Sequence, residues 1–199
     1  KFALQRSKDI LRPPETVVLD VQGDTLFARG RASHPWIREA RRLVRTISGI
    51  TQFHEAGLVD TDLQMFENTR VQLEKEFILF RAGHVEIAPG QTEDVRRVIA
   101  LSQRIWALAG LLEKEIQVEI IGHSDSSGSE ESNQKISRQR AEKFRELLMA
   151  EGLAADFIAT RGMGAQQLLR QETSEQNRAF NRRVTFDIRW RQDAKLDGQ

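Results

Sequence analysis

Residues 116–140 read IQVEIIGHSDSSGSEESNQKISRQR, and this stretch decides the fold. Ile116, Val118 and Ile120 alternate as one face of a β-strand until Gly122 and His123 break the pattern. A polar loop follows. An apolar stripe then resumes at helical spacing through Ile136, Phe144, Leu147 and Leu148, with Gly152 just past its end. Arg140 lies four residues after Ile136 and four before Phe144, so it sits inside the stripe that should face the core. Left unpaired there, a guanidinium costs on the order of several kcal/mol. Two kinds of partner can meet it: a carboxylate of the chain, of which Asp125 is nearest, or an anion from outside.

Working outward from that stretch, Pro89 is expected to open a helix whose apolar positions, among them Val95, Val98, Ile105, Trp106 and Leu112, repeat at three and four. Trp106, like Trp36 earlier in the chain, occupies an apolar helical position and is expected in the core. Before that helix, Val71, Leu73, Phe77 and Leu79 alternate as a strand, though Lys75 interrupts it and a helical start stays open. On the C-terminal side, residues 157–161 predict a strand ending at Gly162-Met163-Gly164, and residues 165–178 predict a loop with a short helix. Val184, Phe186, Ile188 and Trp190 alternate as a last strand. The order β-α-β-α-β-(α)-β predicts an α+β fold over 71–190, one mixed sheet with helices on one face. Residues 191–199 are expected to be a disordered tail.

The N-terminal third has a different pattern. Residues 1–15 end in Pro13-Pro14 and read as the end of an upstream element. Residues 16–60 predict a small α+β unit: a hairpin around Gly23-Asp24, a helix from about 35 to 48 closed by Gly49, and extended segments at 50–53 and 58–59. Residues 61–70 are polar apart from Leu63, Met65 and Phe66 and are expected to form a linker or a short helix.

Composition excludes several classes. The 199 residues carry 30 basic and 29 acidic side chains, a net charge of +1, so no polyanion partner is implied. Zero cysteines rule out disulfides, thiolate nucleophiles and cysteine-ligated zinc. No apolar run approaches the ~20 residues that span a bilayer. Arg178, Arg182, Arg183, Arg189 and Arg191 make the last strand basic, yet few aromatic residues accompany them, which argues against nucleic acid. His34, His54 and His84 stand at no zinc-ligand spacing relative to His123, and no metal or cofactor is expected. Since the first residue is Lys1, the chain is read as a fragment whose membrane anchor lies upstream.

Gly122-His123-Ser124-Asp125, Gly128, Asn133, Ile136-Ser137, Arg140-Ala141 and Asn181-Arg182-Arg183-Val184 together resemble the signature of OmpA-like C-terminal domains. The resemblance covers roughly residues 77–190. The family usually has threonine at Ser124, often an aromatic residue at Ser132, and a proline near Leu168. More weakly, residues 17–59 resemble the BON-type module that often accompanies such domains in cell-envelope proteins.

The first resemblance implies a non-enzymatic module that binds peptidoglycan through the diaminopimelate of its stem peptide. In that family pattern Asp125 takes the ammonium and Arg140 the carboxylate, while Asn133 and Arg183 line the same pocket. His123, Ser124, Gly128, Ile136, Asn181 and Arg182 support it. No residue is given a catalytic role. The chain would then face the periplasm, associated with the outer membrane or envelope, and residues 16–60 could hold another envelope protein or a lipid. Two alternatives stay open: an interaction module that keeps the fold without wall binding, and a hydrolase centred on His123 and Asp125.

Overall fold

The computed structural model describes residues 2–191; of the tail expected at 191–199, Arg191 is held by the Glu115 carbonyl and Asp156, and 192–199 lie outside the described residues. The chain divides after Glu67 into two compact units.

In the first unit, β1 (Val17–Gln22) and β2 (Thr25–Ala32) form the expected antiparallel hairpin, and β3 (Gln52–Asp60) pairs parallel to β2. Between β2 and β3 runs α2 (His34–Leu43), capped by the Ser33 hydroxyl and continued by a single 3-10 turn at 44–46. Leu19, Leu26, Ala28, Ile37, Ala40 and Ile47 form the core. The N-terminal segment is part of this unit and not only the end of something upstream. Helix α1 (Phe2–Leu11) buries Leu11 in the same core, and the Trp36 indole N–H donates to the Leu11 carbonyl at 2.9 Å.

Of the two alternatives for 61–70 the helix is the one formed, and α3 (Thr61–Lys75) also takes the place of the strand expected at Val71 and Leu73. Its buried residues explain why. Phe66, Thr69 and Leu73 are nearly or fully inaccessible and lie three and four apart, a helical stripe that the alternation of Val71 and Leu73 hid.

The second unit holds a four-stranded mixed sheet in the order β4-β7-β5-β6: β4 (Phe77–Leu79), β5 (Ile116–Gly122), β6 (Ile158–Gly162) and β7 (Arg183–Trp190). β7 runs antiparallel to β4 and β5, and β6 runs parallel to β5. Three helices complete it: α4 (Thr92–Leu111), α5 (Glu130–Ala150) and α6 (Glu175–Asn181). The face carrying Val118, Ile120, Val184 and Phe186 is buried under α5, whose Phe144 ring lies 5.2 Å from that of Phe186. The opposite face carries polar groups, with Glu119 held between Arg161 and Arg189.

Two expectations shift here. α4 starts at Thr92 and not at Pro89, because Pro89-Gly90 turns the chain and Gln91 then bonds back to the Leu79 N–H. Trp106 is 42% exposed, so it covers the rim of the core beside Phe157 instead of filling the core.

The contact between α5 and the sheet fixes the position of everything described below. Gly122 and Gly162 face each other across the ends of β5 and β6. A Cβ on Gly122 would lie 1.8 Å from the Ser137 carbonyl oxygen, and one on Gly162 would lie 2.8 Å from the Arg138 nitrogen. Only α-carbons that carry no Cβ let the helix backbone come this close.

Candidate functional site

Strand β5 ends at Gly122, and the chain then passes through His123, Ser124 and Asp125 into α5. Ser129 caps that helix by accepting from the Ser132 N–H. Asn133 donates to the Gly128 carbonyl at 3.1 Å, and a Cβ on Gly128 would stand 2.8 Å from the Asn133 Oδ1. A side chain at 128 would therefore have to push the Asn133 amide out of its place. On its other side the Ser126 N–H and hydroxyl both donate to Glu172, which also accepts from Asn181.

Asn181 is fully buried and ties down the segment before α6. It accepts from the Leu169 and Arg170 N–H groups and donates to the Arg170 carbonyl.

Beneath this loop is a cavity of about 310 Å³, lined by Ala82, Gly83, Ser124, Asp125, Asn133, Ile136, Arg140, Glu175 and Arg182, among others. Ser132, where the sequence pattern has a serine in place of an aromatic residue, also lines it, whereas Leu168 is 45% exposed and does not.

Arg140 does not pair with Asp125. Its side chain, 1% exposed, donates from Nε to the His84 carbonyl at 3.0 Å, from Nη1 to the His123 carbonyl at 3.0 Å, and from Nη2 to the Arg81 carbonyl at 3.1 Å. The guanidinium also lies over the Phe80 ring, 5.6 Å from its centroid. Burial pulls its pKa down to about 10; the Asp125 carboxylate opposes that fall and the Arg182 charge adds to it. Arg140 and Arg182 thus line one cavity, and each has more N–H groups than it commits to these protein acceptors.

Asp125 instead accepts from Arg182 Nη1 at 2.9 Å and from the Ser127 N–H at 3.1 Å. Burial works against its charge, but these bonds outweigh it and hold its pKa below the ordinary aspartate value. Arg182 is itself buried, and the bonds to Asp125 and Glu175 outweigh desolvation and raise its pKa. Two buried polar atoms on the cavity residues have no hydrogen-bond partner: Ser124 Oγ and Arg182 Nε. Such atoms are costly unless a ligand or water meets them.

Arg183, expected in the pocket, is not part of its lining. Its guanidinium donates to the Asn181 and Gln167 carbonyls, and burial lowers its pKa. Strand parity explains the exchange. Val184, Phe186 and Ile188 point to the α5 face, so Arg183 shares the opposite face with Thr185 and Arg189, and Arg182 reaches the cavity in its place. That parity was available in the sequence. Glu175 gave no such signal, since nothing local to the short α6 marks it.

His123 is 2% exposed and makes one side-chain bond, between Nε2 and the Thr185 hydroxyl at 3.0 Å. Burial, with the fields of Arg183 and Arg161 added, lowers its pKa to about 3, so the ring is neutral near neutral pH. Among the described residues no group of three or more His, Cys, Asp or Glu side chains is placed to hold a metal. The folded state refuses a proton that the unfolded chain accepts near its ordinary value of 6.5. This contribution is complete above about 6.5 and is lost as pH falls towards 3. At about pH 4.5 the loss relative to about pH 7 amounts to roughly 2–3 kcal/mol, and urea unfolding of His123→Gln should show a correspondingly smaller difference between the two pH values.

Among the described residues no helix is long and apolar enough to cross a membrane. Comparison with known proteins places the site in context. Outer membrane porin F of Pseudomonas fluorescens is 39% identical over 71 residues, 36% of this chain and 22% of that protein. The peptidoglycan-binding protein ArfA of Mycobacterium tuberculosis is 40% identical over 74 residues, 37% of this chain and 23% of that protein. The chain therefore spans under a quarter of the length of either relative. The first is named as an outer-membrane porin and the second as a peptidoglycan-binding protein. The crystal structure of the peptidoglycan-associated lipoprotein from Burkholderia pseudomallei aligns with a TM-score of 0.49 at 17% identity, covering 58% of this chain and 91% of that one. Residues 79–182, more than half of the 199, match the model of the OmpA family, and the chain belongs to that family.

Proposed function

We propose that this chain binds peptidoglycan without covalent attachment, taking the free end of a diaminopimelate stem peptide into the cavity between the 123–128 loop, α5 and Arg182. The observation that carries this is the convergence of one half-buried carboxylate, Asp125, and two buried guanidiniums, Arg140 and Arg182, on one cavity of about 310 Å³. The free end of diaminopimelate presents an ammonium and a carboxylate on one carbon, so its receptor needs both signs of charge within a few ångströms. Asp125 takes the ammonium, and the outward N–H groups of Arg140 and Arg182 take the carboxylate. Ser124 Oγ and Arg182 Nε, buried without partners, are the atoms such a ligand would satisfy. The name of ArfA, and membership of the OmpA family, support the same reading.

Each charge-assisted bond contributes roughly 1.5–3 kcal/mol, enough for weak binding to a single peptide. A wall that repeats the ligand makes up the difference through effective concentration. In this reading the module is a tether on the periplasmic side of the envelope and does no chemistry on the wall. Residues 71–190 form the wall-binding domain, and residues 16–60 form a BON-like unit that holds a further envelope component. The parallel pairing of β2 and β3 across α2 is consistent with a βαβ module there.

Titration with a diaminopimelate-containing tripeptide, beside pull-down on purified sacculi, tests the assignment. Asp125→Ala is expected to weaken peptide binding by about 10- to 100-fold, the loss of one or two charge-assisted bonds. A folded Asp125→Ala protein that still binds sacculi like the parent sinks the reading.

A further inference from the structure

The cavity holds one carboxylate beyond the pair that its proposed ligand requires. Glu175, in the first turn of α6, also lines the cavity and accepts from Arg182 Nη2 at 2.6 Å, while Asp125 accepts from Nη1 of the same guanidinium at 2.9 Å. The two ends of that contact differ greatly in exposure. The side chain of Arg182 is 7% exposed and that of Glu175 66%. A second contact, to Arg178, is long at 3.9 Å. Glu175 is thus a solvent-facing carboxylate resting on a buried cation.

Arg140 has committed one N–H from each of its three nitrogens to backbone carbonyls. Of the donors that an incoming carboxylate could use, those on Arg182 are therefore the more important, and Glu175 already engages one of its two terminal nitrogens. The charges around the cavity are also balanced, with Asp125 and Glu175 against Arg140 and Arg182. The zwitterion adds one charge of each sign, and its carboxylate meets Arg182 only by competing with Glu175.

We infer that Glu175 stands in for the ligand's carboxylate: it holds Arg182 until a carboxylate displaces it, and so sets the affinity and charge selectivity of the site. The inference rests on the diaminopimelate reading above. Displacement costs little, because an ion pair whose acidic partner lies in solvent is weak and the carboxylate regains its hydration on leaving. Swung outward, Glu175 leaves Asp125 to face an ammonium and frees both guanidiniums for a carboxylate, which is the charge pattern of the zwitterion. A ligand that offers only an ammonium has nothing with which to displace it.

The test uses two small probes on the whole chain, followed by NMR: meso-diaminopimelate, and cadaverine, which is the same molecule without its carboxylates. Glu175→Gln keeps an oxygen that can accept from Arg182 and changes an exposed position, so the fold should persist, which thermal melting checks. The variant is expected to bind diaminopimelate roughly three- to tenfold more tightly than the parent, as removal of a weak competing ion pair allows. It should bind cadaverine no more tightly. Glu175→Asp, whose carboxylate is one methylene short of Arg182, should show a smaller gain of the same sign. Unchanged or weaker binding of diaminopimelate by Glu175→Gln overturns the inference while leaving the site assignment standing, as does an equal gain for cadaverine. A parent protein that binds diaminopimelate no better than Asp125→Ala overturns the assignment, and the inference with it.

Discussion

Arg140→Ala is expected to lower the stability of the second unit by about 3–5 kcal/mol, and with it the melting temperature by roughly 10 °C. The side chain is among the most deeply buried in the protein, and three backbone carbonyls, at Arg81, His84 and His123, take its N–H groups. Alanine removes all three donors at once and leaves a void next to the Phe80 ring. Each orphaned acceptor that water cannot reach costs about 1–3 kcal/mol, and the void adds to the loss. Arg140→Lys restores a charge but not a planar fork that spans three acceptors, so it should recover only part of the stability. Urea unfolding of parent and variants decides this, and a loss under about 1 kcal/mol for alanine contradicts the three-carbonyl cage as a structural element. Wall binding should also be lost in Arg140→Ala, which is why Asp125→Ala is the cleaner variant for function.

Gly122→Ala should be at least as damaging, at about 3 kcal/mol or more, for a steric reason alone. The new methyl group would stand 1.8 Å from the Ser137 oxygen and 2.6 Å from its carbon. Those are backbone atoms in the interior of α5, which cannot rotate away as a side chain can. The helix has to lift from β5, and with it Asn133, Ile136 and Arg140 leave their places on the cavity wall. Gly110→Ala provides the contrast, since a Cβ there meets nothing within 4 Å and the residue lies inside α4. That variant should be neutral or more stable by roughly 0.5–1 kcal/mol, the ordinary preference of a helix for alanine. Melting curves of the two variants side by side separate close approach from glycine content.

What could be read from the sequence followed how local the determining physics was. β5, the loop and α5 show in the alternation of Ile116, Val118 and Ile120 and the later stripe of Ile136, Phe144 and Leu148, because each pattern lies within one element. The buried position of Arg140 was visible for the same reason. Its partners were not, because Arg81 and His84 lie more than fifty residues away and offer backbone carbonyls, which no residue type announces. The expected strand at Val71 failed where two periods overlapped: Val71, Leu73, Phe77 and Leu79 alternate, but Phe66, Thr69 and Leu73 are the positions actually buried. The exchange of Arg183 for Arg182 was legible in principle from strand parity. It was missed because two adjacent arginines look alike until the face of each is counted from Val184.

The three-point grip on Arg140 bears on what happens under load. An arginine on a solvent-facing rotamer yields to a pull by swivelling about its χ angles, at small energetic cost. Here the guanidinium is fastened to the main chain at His123, immediately beyond a central strand, and at Arg81 and His84, in the loop after β4. Traction on an anion bound to Arg140 as proposed would therefore pass into the backbone at three places, one of them continuous with the hydrogen-bonded ladder between β5 and β7. Side-chain slack contributes almost nothing to the compliance of such an attachment, and its weakest link is the bond to the anion itself.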